Sequence, residues 1–424
     1  MDRLIIENVR CFRGRHEVPL APLTILVGEN STGKSTVLAM ARLAWDVASG
    51  KRTQFNEEPF LLGSYEQIAS LPRTGSRHAR RFTIGCEWSK KSREKSLPSS
   101  RASVTGSFVS QTSQPALKTW SFESNPFELK AEFDSEENLV SLELGLGSRK
   151  VERKLREVSI LPGTMRASWT STMLQGEPGY RGASPLLKRF MRVSQEFENQ
   201  LGPRPYAFAP IRSRPQRVYE SIKLIESSEG GHVPLALARI HLQNSAGWDS
   251  VQGGLEKFGK TSGLFDRVDI RRLGSGESDP FQLQVSIAGR LANVVDVGYG
   301  VSQILPILVD CLSNIGGTLL LQQPEVHLHP KAQAELGSFL GLLAKHKTQL
   351  LVETHSDYLV DRIRIDVRDK RSLRPEDVAL LYFEREEGEV RIHRLDLDEH
   401  GDIVNAPPSY RKFILQEERR FLGI

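Results

Sequence analysis

Gly28-Glu29-Asn30-Ser31-Thr32-Gly33-Lys34-Ser35-Thr36 is the stretch that decides the fold. It has the pattern GxxxxGKS. Before it stands Leu23-Thr24-Ile25-Leu26-Val27, an apolar, partly β-branched run; after it Val37, Leu38, Ala41, Leu43, Ala44 and Ala48 recur at helical spacing. Gly50 closes the segment where a helix C-terminal glycine belongs. Strand, glycine-rich loop and helix in this order let main-chain amides turn inward around phosphate oxygens. Lys34 then supplies a cation for the β and γ oxygens, Ser35 a hydroxyl for Mg2+, and the helix its positive end. Gly28, Glu29, Asn30, Ser31, Thr32, Gly33, Lys34, Ser35 and Thr36 are therefore expected to line a nucleotide. No NKxD-like guanine reader occurs, so ATP with Mg2+ is the expected pair.

Three later segments belong with this loop. Thr318-Leu319-Leu320-Leu321 reads as a strand ending in Gln322-Gln323-Pro324-Glu325-Val326-His327-Leu328-His329-Pro330, with a helix following through Ala332, Leu336, Phe339, Leu340 and Leu343. Gln349 to Thr354 reads as a second buried strand, and His355-Ser356-Asp357 opens a helix through Arg364, where a histidine can reach a γ-phosphate. Upstream, Gly298-Tyr299-Gly300-Val301-Ser302-Gln303 precedes an apolar helix from Ile304 to Leu312, with Ser302 expected as its N-cap, presenting amides to an anion.

In this order and spacing the elements resemble the ABC-class ATPase heads of RecF, SMC and overcoming-lysogenisation-defect (OLD) proteins. They look most like a bacterial group of stand-alone AAA-family ATP-binding proteins with a PExHLHP motif and a GxGxSQxLP signature, whose members include ATPase subunits of antiphage systems such as Septu. Gly300-Val301-Ser302-Gln303-Ile304-Leu305-Pro306, Pro324 to Pro330 and Glu353-Thr354-His355-Ser356-Asp357 carry the likeness, which covers residues 1–50 and 205–424. It implies an α/β fold: an ABC-type P-loop ATPase head with a mixed sheet and an antiparallel β lobe, a helical insertion and a small C-terminal α+β appendix. The expected divisions are 1–50 with the P-loop, 51–180 β-rich, 181–285 helical, 286–370 with the signature, Walker B and histidine segments, and 371–424 as the appendix. The resemblance also implies a homodimer or higher assembly in which each ATP lies between the P-loop of one copy and Gly300, Ser302 and Gln303 of the other. A separate effector protein is the further implied partner.

One departure bears on the chemistry. Relatives carry an acidic residue directly after the Walker B strand, often followed by Glu or Gln, whereas this chain has Gln322 and Gln323. Gln322 as a metal ligand offers Mg2+ a neutral carbonyl dipole where the ion prefers anionic oxygen. An amide also cannot take the proton of an attacking water. Gln322, Gln323 and His355 thus occupy the catalytic positions of a site expected to bind ATP and hydrolyse it slowly. Such glutamines arise either by natural loss or as an introduced trap for the ATP-bound dimer. Glu325, beyond Pro324, and Glu353 are the reserve carboxylates.

The intervening region carries two basic clusters. Between Arg73 and Arg101 lie Arg77, Arg80, Arg81, Lys90, Lys91, Arg93 and Lys95 against Glu87 and Glu94, a set that either contacts nucleic-acid phosphates or forms a solvated loop. Arg212-Ser213-Arg214-Pro215-Gln216-Arg217 resembles a family segment with a structural or nucleotide-sensing role. Phe82 to Trp88 and Val140 to Leu146 alternate as strands do, and Ser184-Pro185 to Gly202-Pro203 brackets a helix with Leu187, Phe190, Met191 and Phe197 on one face. Recurrent Gly and Pro exclude a long coiled-coil arm. Gln67 is a candidate γ-phosphate sensor. His327 and His329 read as interface residues, since no further ligand cluster joins them.

Composition fits this picture. The chain's 424 residues suffice for two or three domains without disulfide staples, and Cys11, Cys86 and Cys311 form no CxxC pair. With 57 basic and 52 acidic residues the net charge of +5 permits contact with nucleic acid without the excess of a DNA-packaging protein. No run approaches the roughly 18 apolar residues of a membrane helix. The expected location is cytoplasmic. An OLD-type nuclease domain does not fit in the residues after His355, so the effector is expected on another chain; a RecF-like DNA-repair ATPase is the alternative.

Overall fold

A computed structural model describes residues 1–72, 77–90, 100–146, 149–158, 185–220, 227–243, 245–274, 276 and 279–422. Along the chain run β1 (Arg3–Val9), β2 (Phe12–Pro19), β3 (Leu23–Gly28), α1 (Lys34–Ser49), β4 (Asn56–Glu57), β5 (Phe60–Leu61) and α2 (Tyr65–Ile68). Next come β6 (Phe82–Lys90), β7 (Ser100–Gln111), β8 (Gln114–Ser124), β9 (Phe127–Phe133), β10 (Leu139–Leu146), β11 (Arg149–Val158) and α3 (Pro185–Leu201). The rest comprises β12 (Tyr206–Phe208), α4 (Val233–Gln243), α5 (Ser245–Ser262), β13 (Arg267–Arg272), β14 (Phe281–Ile287), β15 (Arg290–Asn293) and α6 (Tyr299–Ser313). It ends with β16 (Thr318–Gln322), α7 (Pro330–Lys345), β17 (Gln349–Glu353), α8 (Asp357–Arg368), β18 (Val378–Glu386), β19 (Glu389–Leu395) and α9 (Lys412–Leu422). The chain folds into two compact units that interleave in sequence.

One unit holds Met1–Leu20, Ser31–Pro205 and Arg385–Val390. Its sheet has eight strands in the order β11-β10-β9-β8-β7-β6-β1-β2. Alternation sets the buried face: in β9, Phe127, Leu129, Ala131 and Phe133 are buried while the residues between them are partly exposed. α1 lies against that face. Trp120 Nε1 donates to the Val47 carbonyl at 2.9 Å, and the Cys86 thiol donates to the Ala44 carbonyl at 3.4 Å. Gly106 permits the approach, because a Cβ there would stand 3.0 Å from a Val47 methyl. Gly50, at φ 70°, closes α1 with its N–H on the Asp46 and Val47 carbonyls.

α3 ends where the bracketing glycine predicts, at Leu201, and Gly202 takes φ 66°. Its Phe197 stands edge-on to Trp88, with ring centroids 4.5 Å apart. Ser184, expected as its cap, lies outside the described residues. Just beyond the helix, the Arg204 fork meets buried Asp46 at 2.8 and 2.9 Å and Glu57 at 2.9 Å, tying the returning chain to the end of α1.

The other unit holds Ala21–Asn30, Tyr206–Glu384 and Arg391–Ile424. Its six-stranded sheet runs β12-β16-β17-β3-β18-β19, with parallel pairing from β12 through β18. Continuous apolar runs such as Leu319-Leu320-Leu321 suit strands covered on both faces. Ile25, Leu308, Leu321, Leu340, Leu350 and Leu380 share one core. The segment 181–285 contributes helices but also β12, β13 and most of β14, the last two in a separate antiparallel sheet with β15. At the C-terminal end, β18 joins the central sheet beside β3 and turns into β19 through Glu387-Gly388, both at positive φ as a tight hairpin requires.

Candidate functional site

The glycine-rich loop leaves the C-terminal end of β3. Gly28 takes φ 133°, and a Cβ on it would fall 2.2 Å from the Phe383 carbonyl oxygen of β18, so only glycine fits beside that strand. Ser31 also has positive φ, at 61°, and its carbonyl accepts from Arg385 Nη2 at 2.6 Å. Gly33, at φ 93°, is the N-cap of α1; a Cβ there would lie 2.6 Å from Cys11 Sγ and 2.7 Å from the Phe12 ring. Three left-handed residues within six positions curl the backbone, as an amide cradle for an anion demands. Glu29, Asn30, Ser31 and Ser35 are exposed, Thr32, Lys34 and Thr36 are buried, and Gly28 and Gly33 fall between.

The ends of β16 and β17 stand in the same row of the sheet as Leu26 of β3: Leu26 is in register with Glu353, and Glu353 with Gln322. Gln322, 8% exposed, closes β16. Gln323 takes φ 43° and starts a turn, its N–H donating to the Glu353 carbonyl at 2.8 Å. Glu325 is 5% exposed, and its Oε1 accepts from the His355 main-chain N–H at 2.8 Å. The imidazole of His355 is exposed, while Ser356 caps α8 by accepting from the Leu359 N–H. The Ser356 hydroxyl also donates to Gln333 of α7 at 2.6 Å.

The signature segment departs from expectation. Ser302 is not an N-cap: α6 begins at Tyr299 with Gly298 as cap, and the Ser302 hydroxyl donates to the Tyr299 carbonyl at 2.9 Å within the first turn. Burial explains the earlier start. Val301 to Cys311 are all buried, so packing carries the helix through Pro306 and back over its glycine-rich lead. Gly300 allows the lead to sit against the turn after β16, since a Cβ there would lie 2.8 Å from the His327 carbonyl oxygen. Tyr299 stands edge-on to His327 at 4.7 Å, and His329 is the N-cap of α7. Gln303 is 2% exposed.

Local pattern missed several partners. Arg212 is 2% exposed, whereas Arg214 and Arg217 of the same segment are exposed. Its Nη2 donates to the Gln323 carbonyl at 3.1 Å, and burial lowers its guanidinium to about 10 against the opposing fields of Glu325 and Tyr299. Arg385 of β18, Phe12 of β2 and Cys11 in the turn before β2 reach the loop from elsewhere in the chain and give no local signal. Gln67 completes a capping box, its Oε1 accepting from the Ser64 N–H at 2.8 Å. Of the first basic cluster, Arg77, Arg80, Arg81 and Arg101 are exposed; Arg73, Lys91, Arg93 and Lys95 lie outside the described residues. Among the described residues no helix is long and apolar enough to cross a membrane.

Residues 181–361 match the family model described as "AAA domain, putative AbiEii toxin, Type IV TA system". That span includes α6, β16, β17 and the start of α8. No curated protein matches the chain. Among solved structures it is similar to an SMC head bound to the C-winged helix domain of ScpA, with 10% identity and a TM-score of 0.45 over 94% of this chain and 98% of that one. It is similar also to the SMC head domain from Thermotoga maritima, with 13% identity and a TM-score of 0.40 over 93% and 99%. A third is the Smc head domain with an extended coiled coil bound to the C-terminal domain of ScpA derived from Pyrococcus furiosus, with 10% identity and a TM-score of 0.41 over 99% of each chain.

Proposed function

We propose that this chain is an ATP-binding, slowly hydrolysing ABC-class ATPase subunit that dimerises on ATP and controls a separate nuclease or toxin effector in bacterial antiphage defence. The observation that carries the reading is that the phosphate-binding loop is intact while β16 ends in the uncharged Gln322. Gly28 and Gly33 hold backbone conformations that a side chain would strain or block against Phe383, Cys11 and Phe12, and a loop curled in this way supports the reading of a phosphate cradle. Lys34 and Ser35 are the residues to meet the phosphates and Mg2+. Gln322 brings only a neutral amide, and the nearby buried carboxylates belong to Glu325, tied to the His355 main chain, and Glu353. Mg2+ bound there would supply charge neutralisation at the phosphates; at the end of β16 the protein offers it an amide oxygen in place of a carboxylate.

Native mass spectra of the chain expressed with its chromosomal neighbours test this, recorded with and without ATP. A dimer or larger assembly that holds ATP and a stoichiometric neighbour is the expected result, and a monomer unaffected by ATP contradicts it. The exposed arginines Arg77, Arg80 and Arg81 favour a second reading, a RecF-like DNA-binding repair ATPase. ATP-stimulated, salt-dependent capture of duplex DNA with no protein partner would move the assignment there.

A further inference from the structure

The turn from Gln323 to His327 is held at three points. Arg212 grips the Gln323 carbonyl, the His355 N–H engages the Glu325 carboxylate, and Tyr299 with Gly300 abuts His327. Three stretches far apart in sequence therefore meet at five residues.

Arg212 is the unusual member. Among the described residues its Nε and Nη1 have no hydrogen-bond partner, and neither does Glu325 Oε2, although all three atoms are buried. A buried guanidinium with a single hydrogen bond is costly, and a protein keeps one where its charge acts on something. Here the field of Arg212 falls on the Glu325 carboxylate, whose neighbour in the same turn, Gln323, takes the one hydrogen bond. One Glu325 oxygen is engaged by His355, so the guanidinium acts on the acceptor that fixes the His355 main chain.

We infer that Arg212 is a positioning residue: through the Gln323 carbonyl and the Glu325 carboxylate it fixes the backbone at His355 and so the direction in which that imidazole is presented. Without the guanidinium, the Gln323 carbonyl keeps, among the described residues, only the weak Val326 N–H at 3.3 Å, and Glu325 loses a buried counter-charge. The turn and the start of α8 then loosen together. Lysine in its place keeps the charge and one donor but not the planar fork.

The test is backbone amide hydrogen exchange across residues 323–327 and 353–356 in the full chain, with single-turnover ATP hydrolysis as a second arm. In Arg212→Met the His355 amide should exchange about tenfold faster or more, the loss of roughly one charged hydrogen bond. Arg212→Lys should restore most of the protection. Arg217→Ala, which removes an exposed charge paired with Asp296 in the same segment, should leave it unchanged. Should Arg212→Met fail to fold, Glu325→Gln keeps the side-chain shape, weakens the acceptor, and should expose the same amide. Unchanged His355 protection in the folded Arg212 and Glu325 variants, or equal loss in Arg217→Ala, overturns the inference. The hydrolysis arm rests on the ATPase reading: Arg212→Met should retain ATP like the unaltered chain but turn it over more slowly. Failure of the unaltered chain to hold ATP would sink that reading, while amide exchange would still decide the role of Arg212.

Discussion

Gly33 shows how much of the site depends on absent atoms. At φ 93°, with Cys11 Sγ and the Phe12 ring where a Cβ would stand, it admits no substitution without moving β2 or the loop. Gly33→Ala should abolish binding of a fluorescent ATP analogue and lower stability by about 1–3 kcal/mol in urea unfolding. The motif makes the glycine legible; the obstructing groups, Cys11 in the β1–β2 turn and Phe12 at the start of β2, carry no such signal. Gln322 is the reverse case, its chemistry readable from the letter alone. Gln322→Glu should raise single-turnover hydrolysis by about tenfold or more by supplying an anionic oxygen, and an unchanged rate would place the limit elsewhere. Arg204 was not singled out by any motif, because its partner Asp46 lies on α1. Arg204→Met leaves a buried carboxylate without its fork and should cost about 3 kcal/mol in denaturant unfolding.

Elements with strong periodicity are legible in the sequence: β3, α1, α3, β16, α7 and β17 all lie where apolar spacing and glycine punctuation put them. The start of α6 is not legible in this way, because Gly298-Tyr299-Gly300 reads locally as a loop, while burial from Val301 onward draws it into the helix. Strands β12 to β14 lie within a stretch expected to be helical, since strand pairing is decided by distant partners. Residues 371–424 are expected as a small α+β appendix, yet β18 lies in the central sheet beside β3, a placement that rests on parallel pairing with no local signature. Because Gly300 touches the turn carrying His327, Gly300→Ala should push the head of α6 outward. Sedimentation velocity should then show loss of the ATP-dependent dimer while each chain still binds ATP; an intact dimer would remove α6 from the interface.

At the scale of the molecule, two interleaved units explain why no linear division of the sequence coincides with a compact body: the phosphate loop itself begins in one unit, at Gly28, and continues in the other from Ser31. Charge adds little, because +5 over 424 residues leaves partner choice to local surfaces. If the exposed arginines at 77, 80 and 81 contact DNA, replacing all three with Gln should flatten the salt dependence of binding by about three phosphate contacts; no change would make them solvent-facing charge. The central claim is that ATP is held and barely consumed. Its most direct test is to pass the chain, loaded with γ-labelled ATP and Mg2+, through a desalting column and follow the bound label. Close to one ATP should remain per chain, lost with Lys34→Ala, with little phosphate released over many minutes. A chain that retains no nucleotide, or one that empties its label within seconds, would contradict it.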